Sequence, residues 1–143
     1  MVKQIMPEEV TIIAIDPGTK KCGYAVVDSN LSILQREVIF TEKIAKNIED
    51  SLNIYKINKI ILGNGTNYKS IEESIKNQFP QLKIILIEEE FSTLKARKKY
   101  FEAHPPRGIS KFIPLSLRVP PGHYDDFVAV LLAEEYFKNK ISR

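Results

Sequence analysis

Thr11-Ile-Ile-Ala-Ile-Asp16-Pro-Gly-Thr-Lys-Lys-Cys22-Gly-Tyr-Ala-Val-Val-Asp28 is the stretch whose reading decides the fold. Val10 to Asp16 has the composition of a strand, with Ile12, Ala14 and Asp16 on one face and Ile13 and Ile15 on the other. Both faces are apolar, so both are expected to be covered. The run ends in a carboxylate, and Asp16-Pro17-Gly18 then forms a tight turn. An acid at the end of a buried strand is costly unless a cation or a set of donors offsets its charge, which points to a metal-dependent site.

Working outward, Cys22 to Asp28 is a second strand, and Ser29-Asn30 is expected to turn the chain into a third, Leu31 to Phe40. The chain therefore opens with a three-stranded antiparallel meander. Thr41 has the chemistry of a helix N-cap, and Ile44, Ile48, Leu52 and Tyr55 give a helical stripe. Ile57 to Leu62 is a short β-branched strand ending at Gly63-Asn-Gly-Thr66, and Ser70 to Phe79 is a helix closed by Pro80. Leu82 to Ile87 is an almost unbroken apolar run, the pattern of an interior parallel strand, and it ends in Glu88-Glu89-Glu90. Ser92 to Ala103 is expected to be a helix, His104 to Gly122 a proline-rich irregular excursion, and Asp126 to Lys138 a closing helix. That helix is apolar nearly all round and should pack on the sheet. The order β-β-β-α-β-α-β-α-α implies an α/β fold: a mixed five-stranded sheet with helices on both faces.

A length of 143 residues fits one domain, residues 1–143, with its own core. With 43% hydrophobic and 27% charged residues the composition is that of a globular protein, which argues against general disorder. No run is long enough to span a bilayer, and the first residues lack the apolar core of a secretory signal, so a cytoplasmic protein is expected. Cys22 is the single cysteine, which excludes a disulfide framework and a cysteine zinc site. The net charge of +3 decides little, but its distribution is uneven. Lys95, Arg97, Lys98, Lys99, Arg107, Lys111 and Arg118 crowd a stretch whose one acid is Glu102. Such a field suits a polyanion such as nucleic acid, although a solvated helix face would look the same over part of it.

Ligand sites in sheets of this kind form beyond the carboxyl ends of parallel strands. Asp16 ends the first strand, Glu88 to Glu90 end the last, and Asp125-Asp126 open the final helix. Singly, each has an ordinary explanation: turn chemistry for Asp16, capping for the aspartate pair, solvation for the glutamates. Jointly, carboxylates gathered at one edge repel one another, and divalent cations are the natural means of keeping them ionised. Two such cations can activate water and stabilise a leaving oxygen in phosphodiester hydrolysis.

Three blocks of the chain resemble the RNase H-like superfamily of nucleases, and within it the YqgF-like branch related to RuvC-like Holliday junction resolvases. The blocks are Ile15-Asp16-Pro-Gly-Thr-Lys-Lys-Cys-Gly-Tyr-Ala-Val26, Glu88-Glu-Glu-Phe-Ser-Thr93 with Ala96-Arg97, and Asp125-Asp-Phe-Val-Ala-Val-Leu-Leu-Ala-Glu-Glu-Tyr-Phe137. The resemblance implies Mg²⁺ or Mn²⁺ held by Asp16, Glu89 and an aspartate of the last helix. Counting back from Tyr136-Phe137 selects Asp125, while the His123-Tyr-Asp-Asp126 pattern selects Asp126 as a contributor. Glu90 stands where the family usually has an arginine, which alters the substrate contacts expected there. Lys20 and Lys21, in the loop after Asp16, are candidates for a substrate phosphate, or simply exposed hairpin lysines. Asn64 and Thr66 are candidates for the substrate backbone, and Lys95, Arg97, Lys98 and Arg107 for phosphates.

The function implied is a metal-dependent nuclease acting on structured nucleic acid, either precursor small-subunit ribosomal RNA or a branched DNA junction. Junction cutting requires paired symmetric incisions and hence a homodimer. The rival of a different class is a nucleic-acid-binding factor that kept the fold and lost catalysis. A nucleotide-handling domain of the actin and sugar-kinase type shares the Asp-x-Gly-Thr hairpin, but the chain is too short for two lobes.

Overall fold

The computed structural model describes residues 10–88 and 125–141, with side chains in the last segment described over 128–138. The elements are β1 Thr11–Asp16, β2 Lys21–Asp28, β3 Ile33–Phe40, a 3₁₀ turn Thr41–Lys43, α1 Ile44–Ile54, β4 Ile57–Gly63, α2 Tyr68–Gln78, β5 Lys83–Ile87 and α3 Asp125–Ile141. They form one mixed sheet in the order β3-β2-β1-β4-β5. β1 pairs antiparallel with β2 and parallel with β4, and β4 pairs parallel with β5. The meander and the mixed sheet expected from the sequence are both present. The expected helix over Ser92 to Ala103 and the excursion over His104 to Gly122 lie outside the described residues.

Strand alternation divides the core in two. Ile13 and Ile15 of β1 join Cys22, Tyr24 and Val26 of β2 against Ile44 and Ile48 of α1 and Ile71 and Ile75 of α2. Ile12 and Ala14, with Ala25, Val27 and Ile61, face Ala129, Leu132, Ala133 and Phe137 of α3. Side chains pointing to opposite faces on successive residues are what lets one six-residue strand serve both layers. α1 follows the 3.6-residue stripe, burying Ile44, Ile48 and Ser51.

Several details differ from expectation. The β2–β3 connection is longer than a two-residue turn: Leu31 adopts a left-handed φ of 63°, and β3 begins at Ile33. The buried Asp28 causes this, because its Oδ1 accepts hydrogen bonds from the backbone N–H of Asn30 and of Ser32, each at 2.9 Å. Thr41 caps no helix: it opens the 3₁₀ turn, α1 starts at Ile44, and the threonine hydroxyl is used elsewhere. α2 begins at Tyr68, after Asn67 at a left-handed φ of 68°, and not at Ser70. Among the described residues, β5 is not an interior strand. It stands at the end of the sheet order with Leu86 43% exposed, because an apolar run reports local composition and not the number of neighbouring strands. α3 extends from Asp125 to Ile141, longer at both ends than Asp126 to Lys138. Among the described residues, no helix is long and apolar enough to cross a membrane.

Candidate active site

Asp16 is the last residue of β1, the central strand, and is 4% exposed. By alternation it shares the face of Ile12 and Ala14, which α3 covers. Across the ladder it pairs with Gly23, which places no side chain beside the carboxylate on the β2 side. On the β4 side, Ile15 pairs with Leu62 and Gly63 pairs with Ile87. The ends of β1, β4 and β5 therefore form one edge, and Asn64 N–H donates to Ile87 O at 3.1 Å to continue it.

α3 runs back toward this edge. Lys59, near the start of β4, donates from Nζ to the Tyr136 hydroxyl at 3.1 Å and lies 5.7 Å from that ring, which anchors the helix's C-terminal half at the amino ends of the parallel strands. From Tyr136 back to Asp125 the helix rises about 16 Å, and Lys59 to Gly63 spans about 13 Å of strand. The opening residues of α3, Asp125 and Asp126, therefore reach the level of the carboxyl edge on the face that holds Asp16. Alanines on both partners, Ala14 and Ala25 below and Ala129 and Ala133 above, are fully buried and permit a close approach of helix to sheet.

The turn after Asp16 is held from three directions. Gly18 O accepts from the Thr41 hydroxyl at 3.2 Å, from Asn67 Nδ2 at 3.5 Å and, more weakly, from the Cys22 thiol at 3.8 Å. The Cys22 sulfur and Thr41 Oγ1 are 3.2 Å apart, and Thr41 N–H donates to Lys20 O at 2.8 Å. A Cβ at Gly18 would lie 2.1 Å from Lys21 O, so only glycine fits there. Thr41, Asn67 and Cys22 were not expected at the site from sequence. The signal available was register: Lys21 pairs with Phe40, which brings the following threonine onto the turn.

Of the residues expected to act, Asp16 and Asn64 stand at the carboxyl edge, and the rise of α3 from its anchor at Tyr136 puts the backbone of Asp125 and Asp126 at about the same level. Lys20 and Thr66 are exposed near it, and Lys21 lies with Nζ 5.6 Å from the Phe40 ring centroid. Glu88 is exposed just past β5. Glu89, Lys95, Arg97, Lys98 and Arg107 lie outside the described residues. Among the described residues, no three His, Cys, Asp or Glu side chains are grouped so as to hold a metal ion. Carboxylate oxygens alone make up the expected set, the donor type that hard divalent cations take.

A meander feeding parallel strands, an acid at the end of the first strand and a helix returning to that acid constitute the RNase H-like fold. A solved Thermus thermophilus RuvC bound to a Holliday junction substrate superposes with a TM-score of 0.56 at 14% identity, covering 93% of this chain and 96% of that one. The chain belongs to the family described as RuvX: Holliday junction resolvase, whose model matches residues 10–139. A relative from Sulfurihydrogenibium sp. (strain YO3AOP1), named "Putative pre-16S rRNA nuclease", is 30% identical over 119 residues, covering 73% of this chain and 82% of its own. The chain spans 39% of the length of a solved "putative sugar kinase" from Cytophaga hutchinsonii, at a TM-score of 0.45.

Proposed function

We propose that this protein is a divalent-metal-dependent nuclease that hydrolyses phosphodiester bonds of structured nucleic acid, with precursor 16S ribosomal RNA as the first substrate and a four-way DNA junction as the second. The observation that carries the reading is Asp16: a buried carboxylate ending the central strand, on the face covered by a helix that opens with two aspartates. Family membership supports the nuclease class. The relative's name favours the RNA substrate, and the family description favours the junction.

Asp16, Glu89 and Asp125, with Asp126 beside it, would hold Mg²⁺ or Mn²⁺. When bound, such ions supply a nucleophilic water and stabilise the leaving oxygen. The chain's own contribution is positional. The clamp on Gly18 O fixes the turn that follows Asp16, and the contact between Lys59 and Tyr136 fixes the helix carrying the second acid. Lys20 and the basic residues Lys95, Arg97, Lys98 and Arg107 would take substrate phosphates, and Asn64 and Thr66 its backbone. Binding through phosphates weakens steeply as salt rises. A junction cutter needs a homodimer for symmetric incisions, whereas end trimming of ribosomal RNA does not.

The test is incubation of labelled precursor 16S RNA and labelled four-way junction with the parent protein and with Asp16→Asn, in Mn²⁺ and in chelator. Cleavage by the parent in Mn²⁺ alone is expected. Equal cleavage in chelator, or by the Asn variant, overturns the proposal, and the substrate that is cut settles the choice between RNA and junction.

A further inference from the structure

We propose that Phe40 and Lys21 form a subsite for an unpaired nucleotide, the ring stacking on its base and the ammonium contacting its phosphate. The inference rests on the nuclease reading for the substrate it serves. Phe40 ends β3 and is 55% exposed, which leaves an aromatic face open to solvent at the strand end. It pairs across the ladder with Lys21, whose Nζ lies 5.6 Å from the ring centroid. Both residues share the parity of Gly23 and Ala25, which is the face of Asp16 and α3.

Two strand spacings and two residues of rise put the Phe40 backbone about 12 Å from that of Asp16. The separation is fixed, because the next residue, Thr41, is hydrogen-bonded to both Lys20 O and Gly18 O of the Asp16 turn. A strand whose phosphate reached Asp16 would pass this platform within a few nucleotides.

The other exposed apolar side chains of β3 and its hairpin, Leu31, Ile33 and Leu34, sit at the far end of the strand and have no π face. Phe40 alone among them combines an aromatic face, an adjacent cation and the edge of the site. A base in duplex already has both faces stacked, so the partner with a free face is an unpaired one, as at a single-stranded end or a junction crossover.

The protein has no tryptophan, so Phe40→Trp introduces a single indole at this position. Titration in chelator, where cleavage is silent, would use a single-stranded DNA oligonucleotide, a single-stranded RNA oligonucleotide and a blunt DNA duplex. Quenching by the single strands and not by the duplex is expected, and the two single-stranded arms show which nucleic acid supplies the nucleotide. Phe40→Ala should weaken single-strand binding about ten-fold, and Phe40→Leu, which keeps apolar bulk without a π face, comparably. Lys21→Gln should lower the slope of log affinity against log salt by about 0.7. Unaltered affinity in the Leu variant, or an indole that single strands leave unquenched, overturns the subsite. Cleavage by Asp16→Asn tests the nuclease reading separately, so either idea can fail while the other stands.

Discussion

The two faces of the sheet are packed by different means. Under α1 and α2 the side chains are large: Ile13, Ile15, Tyr24, Ile48, Ile60, Leu62 and Ile75 are all essentially inaccessible to solvent. The Tyr24 hydroxyl is bonded there to Ser51 Oγ at 2.7 Å and to Asn47 O at 3.1 Å. Under α3 the sheet presents Ala14 and Ala25, the helix answers with Ala129 and Ala133, and the same strand row ends in Asp16. The first face maximises buried apolar area, which is where stability comes from. The second, although it also buries Ile12, Ile61, Leu132 and Phe137, gives up volume at four alanines and so lets a helix lie close to the sheet. On the function proposed above, the difference separates a stabilising layer from the layer that carries the site.

Substitutions chosen from each face test that division. Asp16→Asn should abolish cleavage, by at least about a hundred-fold given that even residues supporting metal ligands cost 10–100-fold. Thermal denaturation should show an equal or higher melting temperature, because a buried carboxylate is being neutralised. A drop in stability with cleavage retained would reverse the assignment of roles.

Overpacking of the α3 face sharpens the contrast. Ala129→Leu should cost about 1–3 kcal/mol and also reduce cleavage by the folded protein, because it lifts the helix from the sheet. Ile48→Ala, on the other face, should cost about 2–5 kcal/mol in denaturant titrations yet leave the turnover of folded molecules unchanged. Gly18→Ala would drive a Cβ into the Lys21 carbonyl, so it forces the clamped turn to move and should lower both cleavage and stability. Thr41→Val should remove about 1 kcal/mol, and Thr41→Ser should restore it.

The smallest effect is with pH and belongs to the stabilising face. Burial pushes the Tyr24 phenol above its ordinary 10.0, because the ionised form is poorly solvated there, although the Ser51 hydrogen bond works the other way. A group whose folded pKa is raised contributes stability that is complete below its unfolded value and is lost as pH rises beyond it. Stability should therefore decline above pH 10 through this residue, and Tyr24→Phe should flatten that part of the stability profile.

The alternation in Thr11 to Asp16 carried the two-faced central strand, the meander and the mixed sheet, because period-two patterning is a local property of the chain. Two aspartates at strand ends show where local reading stops. Asp16 and Asp28 are both nearly buried, but the Asp28 carboxylate is occupied by the N–H groups of its own hairpin, whereas Asp16 lies on the face to which a distant helix returns. Thr41 is a second case: its sequence neighbours suggest a cap, and its actual partners are Gly18 and Cys22 across the ladder.

The sequence by itself determined which residues alternate, where the chain turns, and that acids stand at the ends of its apolar runs, since propensity and periodicity act within a few residues. Only the tertiary structure decided that β5 ends the sheet of described strands, that Gly18 is held by Thr41 and Asn67, and that Phe40 stands exposed beside Lys21 on the face of Asp16. Those facts depend on ladder register and helix direction, which are set by contacts between segments distant in the chain.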